Sequence, residues 1–209
     1  MTPFLEWMAN IIRDNVETAL AALFGTFLGA FLAFYFERRH ADKKEREAQI
    51  SAAKHAQFVI TTQLNAVKNM KKQVLDPMKD DINRHLTLKP FSVLAKFPSL
   101  DIASLVFMLE GDSAQLLNEL MISEHKFRTL LGALDQRNER HEIMQKRLAT
   151  LGPEATLDGA TVAILKDMTD SIYGLCDDAL KGLQESFEKL KTFIEKKFNV
   201  KALSLEFVY

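Results

Sequence analysis

The chain has 209 residues, with 27 Lys and Arg against 28 Asp and Glu, a formal net charge of −1 and 47% hydrophobic residues. This composition excludes an intrinsically disordered chain and a collagen-like fibre, and the single cysteine, Cys176, excludes a disulfide scaffold. The near-neutral charge argues against a nucleic-acid coat protein, and 8 Gly with 5 Pro argue against a turn-rich all-β design.

Residues 1–17 read as a periplasmic or interfacial amphipathic segment. Thr2 can cap a helix, Pro3 suits its first position, and Phe4, Met8, Ile11 and Ile12 share one face. Such a segment is either an interfacial helix or an extension of the next element. Residues 18–36, TALAALFGTFLGAFLAFYF, are 19 in a row without a charge. As a helix the run is roughly 28 Å long, against a bilayer hydrocarbon core of about 30 Å. It is apolar all round, with no polar stripe. Glu6, Asp14 and Glu17 precede it against Arg13 alone, unlike the basic start of a cleaved signal. Arg38, Arg39, Lys43, Lys44, Arg46 and Lys54 follow it, which places the carboxyl side in the cytoplasm. Phe34, Tyr35 and Phe36 suit the inner headgroup layer and Trp7 the outer one. The expectation is a single-pass protein of the inner (plasma) membrane, in contact with lipid, with its N-terminus outside and its C-terminal domain cytoplasmic.

Within the run, Ala21, Gly25, Gly29 and Ala33 recur every four residues. Small residues at that spacing let two helix backbones approach, which in lipid is a main source of association. The stripe predicts a homo-oligomer. Asn15, Glu17, Thr18 and Thr26 are the candidate pore-lining or rim residues. Glu17 either forms a ring at an outer mouth or lies in the headgroup layer.

Residues 37–76 contain no Gly or Pro, and Ile50, Ala53, Ile60, Leu64, Val67 and Val74 recur at near-heptad spacing, interrupted by Gln57 and Lys71. The spanning helix is therefore expected to continue unbroken to Asp76-Pro77, about 85 Å from Thr18 to Val74. Residues 77–111 form an irregular connector containing Pro90 and Pro98, with an amphipathic helix from Ser99 to Glu110 stopped by Gly111. Ile102, Leu105, Val106 and Leu109 are expected to pack. Residues 112–209 complete a cytoplasmic bundle. Asp112 with Gln115 resembles a capping box, opening a helix with Leu116, Leu120, Phe127, Leu130, Leu134, Leu148 and Leu151 on one face. Asn138 and His141 occupy its seam, the kind of polar pair that fixes register, and Gly152-Pro153 ends it. The last helix covers 155–198, with Leu165, Met168, Ile172, Leu175, Ala179, Leu183, Phe187, Leu190, Ile194 and Phe198 as its seam. The tail, 203–209, reads as a short strand or a docked extended end. The fold class expected is all-α: a single N-terminal transmembrane helix continuous with a cytoplasmic antiparallel bundle of long helices.

No phosphate loop, GxGxxG, HExxH or GxSxG occurs. Cys176 has Asp177 and Asp178 after it and no nearby histidine, and reads as a small residue beside the seam. His125 and His141 lack the glutamate three residues earlier that a di-iron bundle site needs. No catalytic residue, metal ligand or cofactor is assigned, and the chain is not expected to be an enzyme. Three basic clusters stand out: Arg38, Arg39, Lys43 and Lys44; Lys68, Lys71 and Lys72; and Arg137 and Arg140, with Lys146 and Arg147. The plainer reading is solvated helix surface and attraction to anionic lipid. Facing one cavity of an oligomer, they would make a funnel for a nucleotide or oligonucleotide ligand.

Two functions fit. One is a self-assembling effector whose spanning helices form an ion-conducting or membrane-disrupting pore gated by the cytoplasmic bundle. The other is a non-conducting anchored scaffold or adaptor whose bundle docks a cytoplasmic protein partner. In outline, an amino-terminal span before a cytoplasmic helical domain resembles the small membrane effectors of bacterial anti-phage defence systems, such as the channel component of the Hailong system. The resemblance covers architecture alone, and no site residue carries over. It implies a tetramer-like channel whose activation arrests growth under control of a nucleotide-polymer signal.

Overall fold

The computed structural model describes residues 3–91, 97–151 and 158–203, of which no residue is in a strand. It is 87% helical. Helix α1 runs from Pro3 to Met70, so the expected amphipathic segment is part of that helix rather than a separate element. The ladder then widens into a π-helical turn, Lys71–Leu75, in which the Asp76 N–H reaches the Lys71 carbonyl. A 3₁₀ turn, Asp76–Met78, follows. Pro77, with no N–H to donate, closes the helix where its position in the sequence predicts.

Two compact units divide at Ala48 and Gln49. In the first, the described side chains of 16–48 are all exposed. The second unit carries the core. Its stretch of α1 buries Ala53, Ala56, Val59, Ile60, Leu64 and Val67. After the short helix α2 (Arg84–Thr87) the connector forms 3₁₀ turns at Ala103–Leu109 and Gly111–Ser113. The expected helix from Ser99 to Glu110 is thus shorter and tighter, and Asp101, not Ser99, accepts the Ser104 N–H at its start, at 3.3 Å. A 3₁₀ turn repeats every three residues, so Ile102, Leu105 and Met108 align inward. Leu105 and Met108 are buried, whereas Val106 and Leu109, expected to pack, turn out to solvent.

Helices α3 (Ala114–Leu151) and α4 (Gly159–Phe198) pack along each other. The capping box falls on the Asp112 side chain, and the Gly152-Pro153 breaker and residues 155–157 of the expected last helix also lie outside the described residues. Asp158 caps α4, its carboxylate accepting the Thr161 N–H at 2.7 Å, and left-handed Asn199 ends it. Ser123 meets Ser186 at 2.7 Å, Glu119 meets Lys189 at 2.7 Å, and Arg147 meets Asp158 at 3.9 Å. Positions rise along α3 as they fall along α4. The Ser123 hydroxyl lies 3.1 Å from the Gly182 carbonyl, and a Cβ on Gly182 would sit 3.3 Å from that hydroxyl oxygen. Gly182 is what lets the backbones come this near.

The α4 stripe of Leu165, Ile172, Ala179, Leu183, Phe187, Leu190, Ile194 and Phe198 is buried, and so is Cys176 beside it. On α3, Phe127, Leu130 and Leu134 are buried at helical spacing, and the next two inward positions are Arg137 and His141. Asn138, expected at the seam, lies at its flank and donates to the Phe91 carbonyl at 2.7 Å. With the buried Thr169 opposite in the register, Arg137 and His141 form a polar layer across the hairpin. Gln57, which interrupts the α1 seam, is also fully buried. Its amide nitrogen donates to the Leu203 carbonyl at 3.0 Å and its oxygen accepts the Leu203 N–H at 2.9 Å. Leu203, where the tail begins, is therefore docked on α1; 204–209 lie outside the described residues.

Candidate functional site

The first candidate is the apolar stretch of α1. The helix is long and apolar enough to cross a membrane, with mean hydropathy 1.7 over its most apolar window and none of that window buried within the chain. Phe24 and Phe27 are each 73% exposed. A contiguous apolar surface of this kind calls for lipid or another chain as its cover. Ala21, Gly25, Gly29 and Ala33 lie exposed along it, and nothing stands within 4 Å of a Cβ built at Gly25 or Gly29. Thr26 donates its hydroxyl to the Ala22 carbonyl at 2.8 Å, which satisfies it within its own helix and leaves it compatible with a lipid-facing position. Thr18 is exposed; the side chains of Asn15 and Glu17 lie outside what the structure describes.

Below the run, Tyr35, Arg38, Arg39 and Asp42 border an open surface hollow. Lys43 stands 3.9 Å from Glu47, an exposed i,i+4 pair of small energetic weight, and Lys44 is exposed.

In the second unit, the two remaining basic clusters have separate roles. Lys71 pairs with Asp177 of α4, and that hydrogen bond raises its pKa despite partial burial. Burial lowers the pKa of half-buried Lys68, while Lys72 is exposed. Arg140 and Arg147 flank a cleft of about 80 Å³ between α3 and α4, floored by Met144 and Leu165. Arg137 does not belong to that solvated face. It is 0% exposed, and its Nη2 donates to the carbonyls of His85, at 3.2 Å, and Leu88. Burial pushes its pKa down to about 10. One turn on, His141 accepts at Nε2 from the Gln145 side-chain amide nitrogen, 3.0 Å away. Burial and then the Arg137 charge lower its pKa. The signal for this layer was available in the sequence: Arg137 continues the Phe127, Leu130, Leu134 spacing.

Neighbouring ties hold the connector over this layer. Arg84 pairs with Asp170 at 2.6 Å and lies 4.6 Å from the Tyr173 ring centre. Tyr173 donates to the Leu75 carbonyl at 2.9 Å. Among the described residues no three His, Cys, Asp or Glu side chains gather as a metal site.

Comparison with protein-family models, curated proteins and solved structures finds no match to the chain. The class defined by the described residues is an all-helical protein with, among those residues, one candidate membrane-spanning helix near the N-terminus.

Proposed function

We propose that the protein is a self-assembling bacterial inner-membrane effector of the stress or anti-phage defence type. The span crosses once, with the N-terminus outside and the second unit in the cytoplasm as an antiparallel helical bundle. Copies associate through Ala21, Gly25, Gly29 and Ala33 and make an ion-conducting or membrane-disrupting assembly. The cytoplasmic bundle gates it on binding a nucleotide, an oligonucleotide or a protein. The observation that carries this reading is the exposed small-residue stripe on an uncovered apolar helix, open for close approach at both glycines. Ile at Gly25 and Gly29 fills that approach. The double variant is expected to lose the oligomer seen by crosslinking in detergent, its conductance in planar bilayers and its toxicity on overexpression. A wild-type chain that is monomeric in detergent and silent in bilayers refutes the proposal.

The alternative, a non-conducting anchored adaptor, draws on the outward-facing Val106 and Leu109, 54% and 58% exposed on one turn of the connector. It predicts a partner captured without any bilayer current.

A further inference from the structure

Among the described residues the largest fully buried side chain is a cation, Arg137. Its Nη2 hydrogens go to two neutral carbonyls, those of His85 and Leu88. Its Nε and Nη1 meet no acceptor. Among the described residues no carboxylate pairs with it. A buried guanidinium in that condition is unusual, because desolvation of the charge is offset only by a counter-charge or a full set of acceptors. Two imidazoles share the neighbourhood. His85 lends its carbonyl to Arg137, and His141 is one helical turn away. Both are buried, and the Nδ1 of each lacks a partner. The polar layer therefore holds a buried cation with two unpartnered nitrogens and two unpartnered ring nitrogens, and none of these atoms is hydrogen-bonded to a carboxylate.

We propose that Arg137, with the imidazoles of His85 and His141, forms an internal binding site for a small phosphate-type oxyanion, covered by connector residues 84–91. A tetrahedral oxyanion suits donors arriving from several directions, whereas a planar carboxylate matches one edge of a guanidinium. Hydrogen bonds from a cation to an anion are roughly twice as strong as neutral ones. An entering oxyanion thus competes favourably with the His85 and Leu88 carbonyls for Nη2, and its binding loosens 84–91 from α3. The Arg84–Asp170 pair keeps that segment tethered to α4. The inference rests on the second unit alone and stands whether or not the span conducts.

The test uses the full chain in detergent and inorganic phosphate as probe, with chloride at equal ionic strength as control. Phosphate is expected to raise the unfolding midpoint of the wild type in a dose-dependent way, and Arg137→Met to weaken the apparent affinity by about tenfold or more. Arg140→Gln with Arg147→Gln, in the exposed cleft, leaves the response intact. Arg137→Met can fail to fold, so Arg137→Lys and wild-type hydrogen exchange give a second measure: phosphate must alter exchange at 84–91, and the lysine variant must weaken that response. Four results overturn the proposal. They are no phosphate response in the wild type, an equal response in the Arg137 variants, a response lost only with Arg140 and Arg147, or unchanged exchange at 84–91.

Discussion

Gln57→Leu removes a two-sided clamp and leaves a side chain of similar size. In the wild type the Gln57 amide both donates to and accepts from the Leu203 backbone, at 3.0 and 2.9 Å. Each such bond contributes about 1 kcal/mol net, so the pair is worth about 2 kcal/mol. Leu203 is 41% exposed, so water takes over the freed backbone groups and the loss stays near that figure rather than at the larger cost of buried orphans. At 1.4 kcal/mol per factor of ten, the Leu203 amide should exchange with solvent roughly 30-fold faster. Hydrogen exchange read by mass spectrometry on a C-terminal peptide measures it. Gln57→Glu is the internal control. Its carboxylate still accepts the Leu203 N–H but sets a second oxygen against the Leu203 carbonyl, and protonation at low pH restores the donor. The glutamate variant should therefore regain protection as pH falls, while the leucine variant does not. Unchanged exchange in Gln57→Leu would show that the tail is held by something other than this clamp.

Two further predictions concern buried titratable groups. His141 has its pKa lowered, so between that lowered value and about 6.5 the unfolded chain binds a proton that the folded chain refuses. Stability is full above about pH 6.5 and falls below it; urea midpoints of the second unit should decline on acidification, and His141→Phe should flatten that part of the slope. An identical decline in the variant would assign it to other groups. Burial, with the Asp177 charge as the next cause, pushes the Cys176 thiol from 9.0 up to about 11. Its thiolate fraction at pH 8 is then roughly a hundredfold below that of the unfolded chain, so iodoacetamide should label it slowly until denaturant is added. Equal labelling rates in the two states would refute this.

Long-range periodicity made most of the helices legible. An uninterrupted apolar run needs no tertiary context to be read, and neither do Pro77 as a terminator or the α4 stripe. The connector was harder, because 3₁₀ geometry changes the inward period from 3.6 to 3 and so exchanges Met108 for Val106 and Leu109. Gln57 and Lys71 looked like interruptions of a seam. In the fold they are its polar fastenings, to Leu203 and Asp177, and neither partner is marked by local pattern. Arg137 was grouped with Arg140, Lys146 and Arg147 by sequence proximity. Helical spacing instead puts it in line with Leu130 and Leu134, and only the packing of the connector reveals the carbonyls it reaches. The small-residue stripe was fully visible in the sequence, and a single chain supplies no partner for it.

The polar layer of Arg137, His141 and Thr169 has a mechanical corollary. Met144 and Leu165 are buried beyond it, yet they are not part of the contiguous apolar core. The far end of the hairpin therefore holds only a small satellite cluster of its own. Such a tip can unzip as a separate cooperative unit while the Leu130–Phe187 region stays folded. The end of the hairpin where Arg147 of α3 meets Asp158 of α4 is then the place where this domain breathes first.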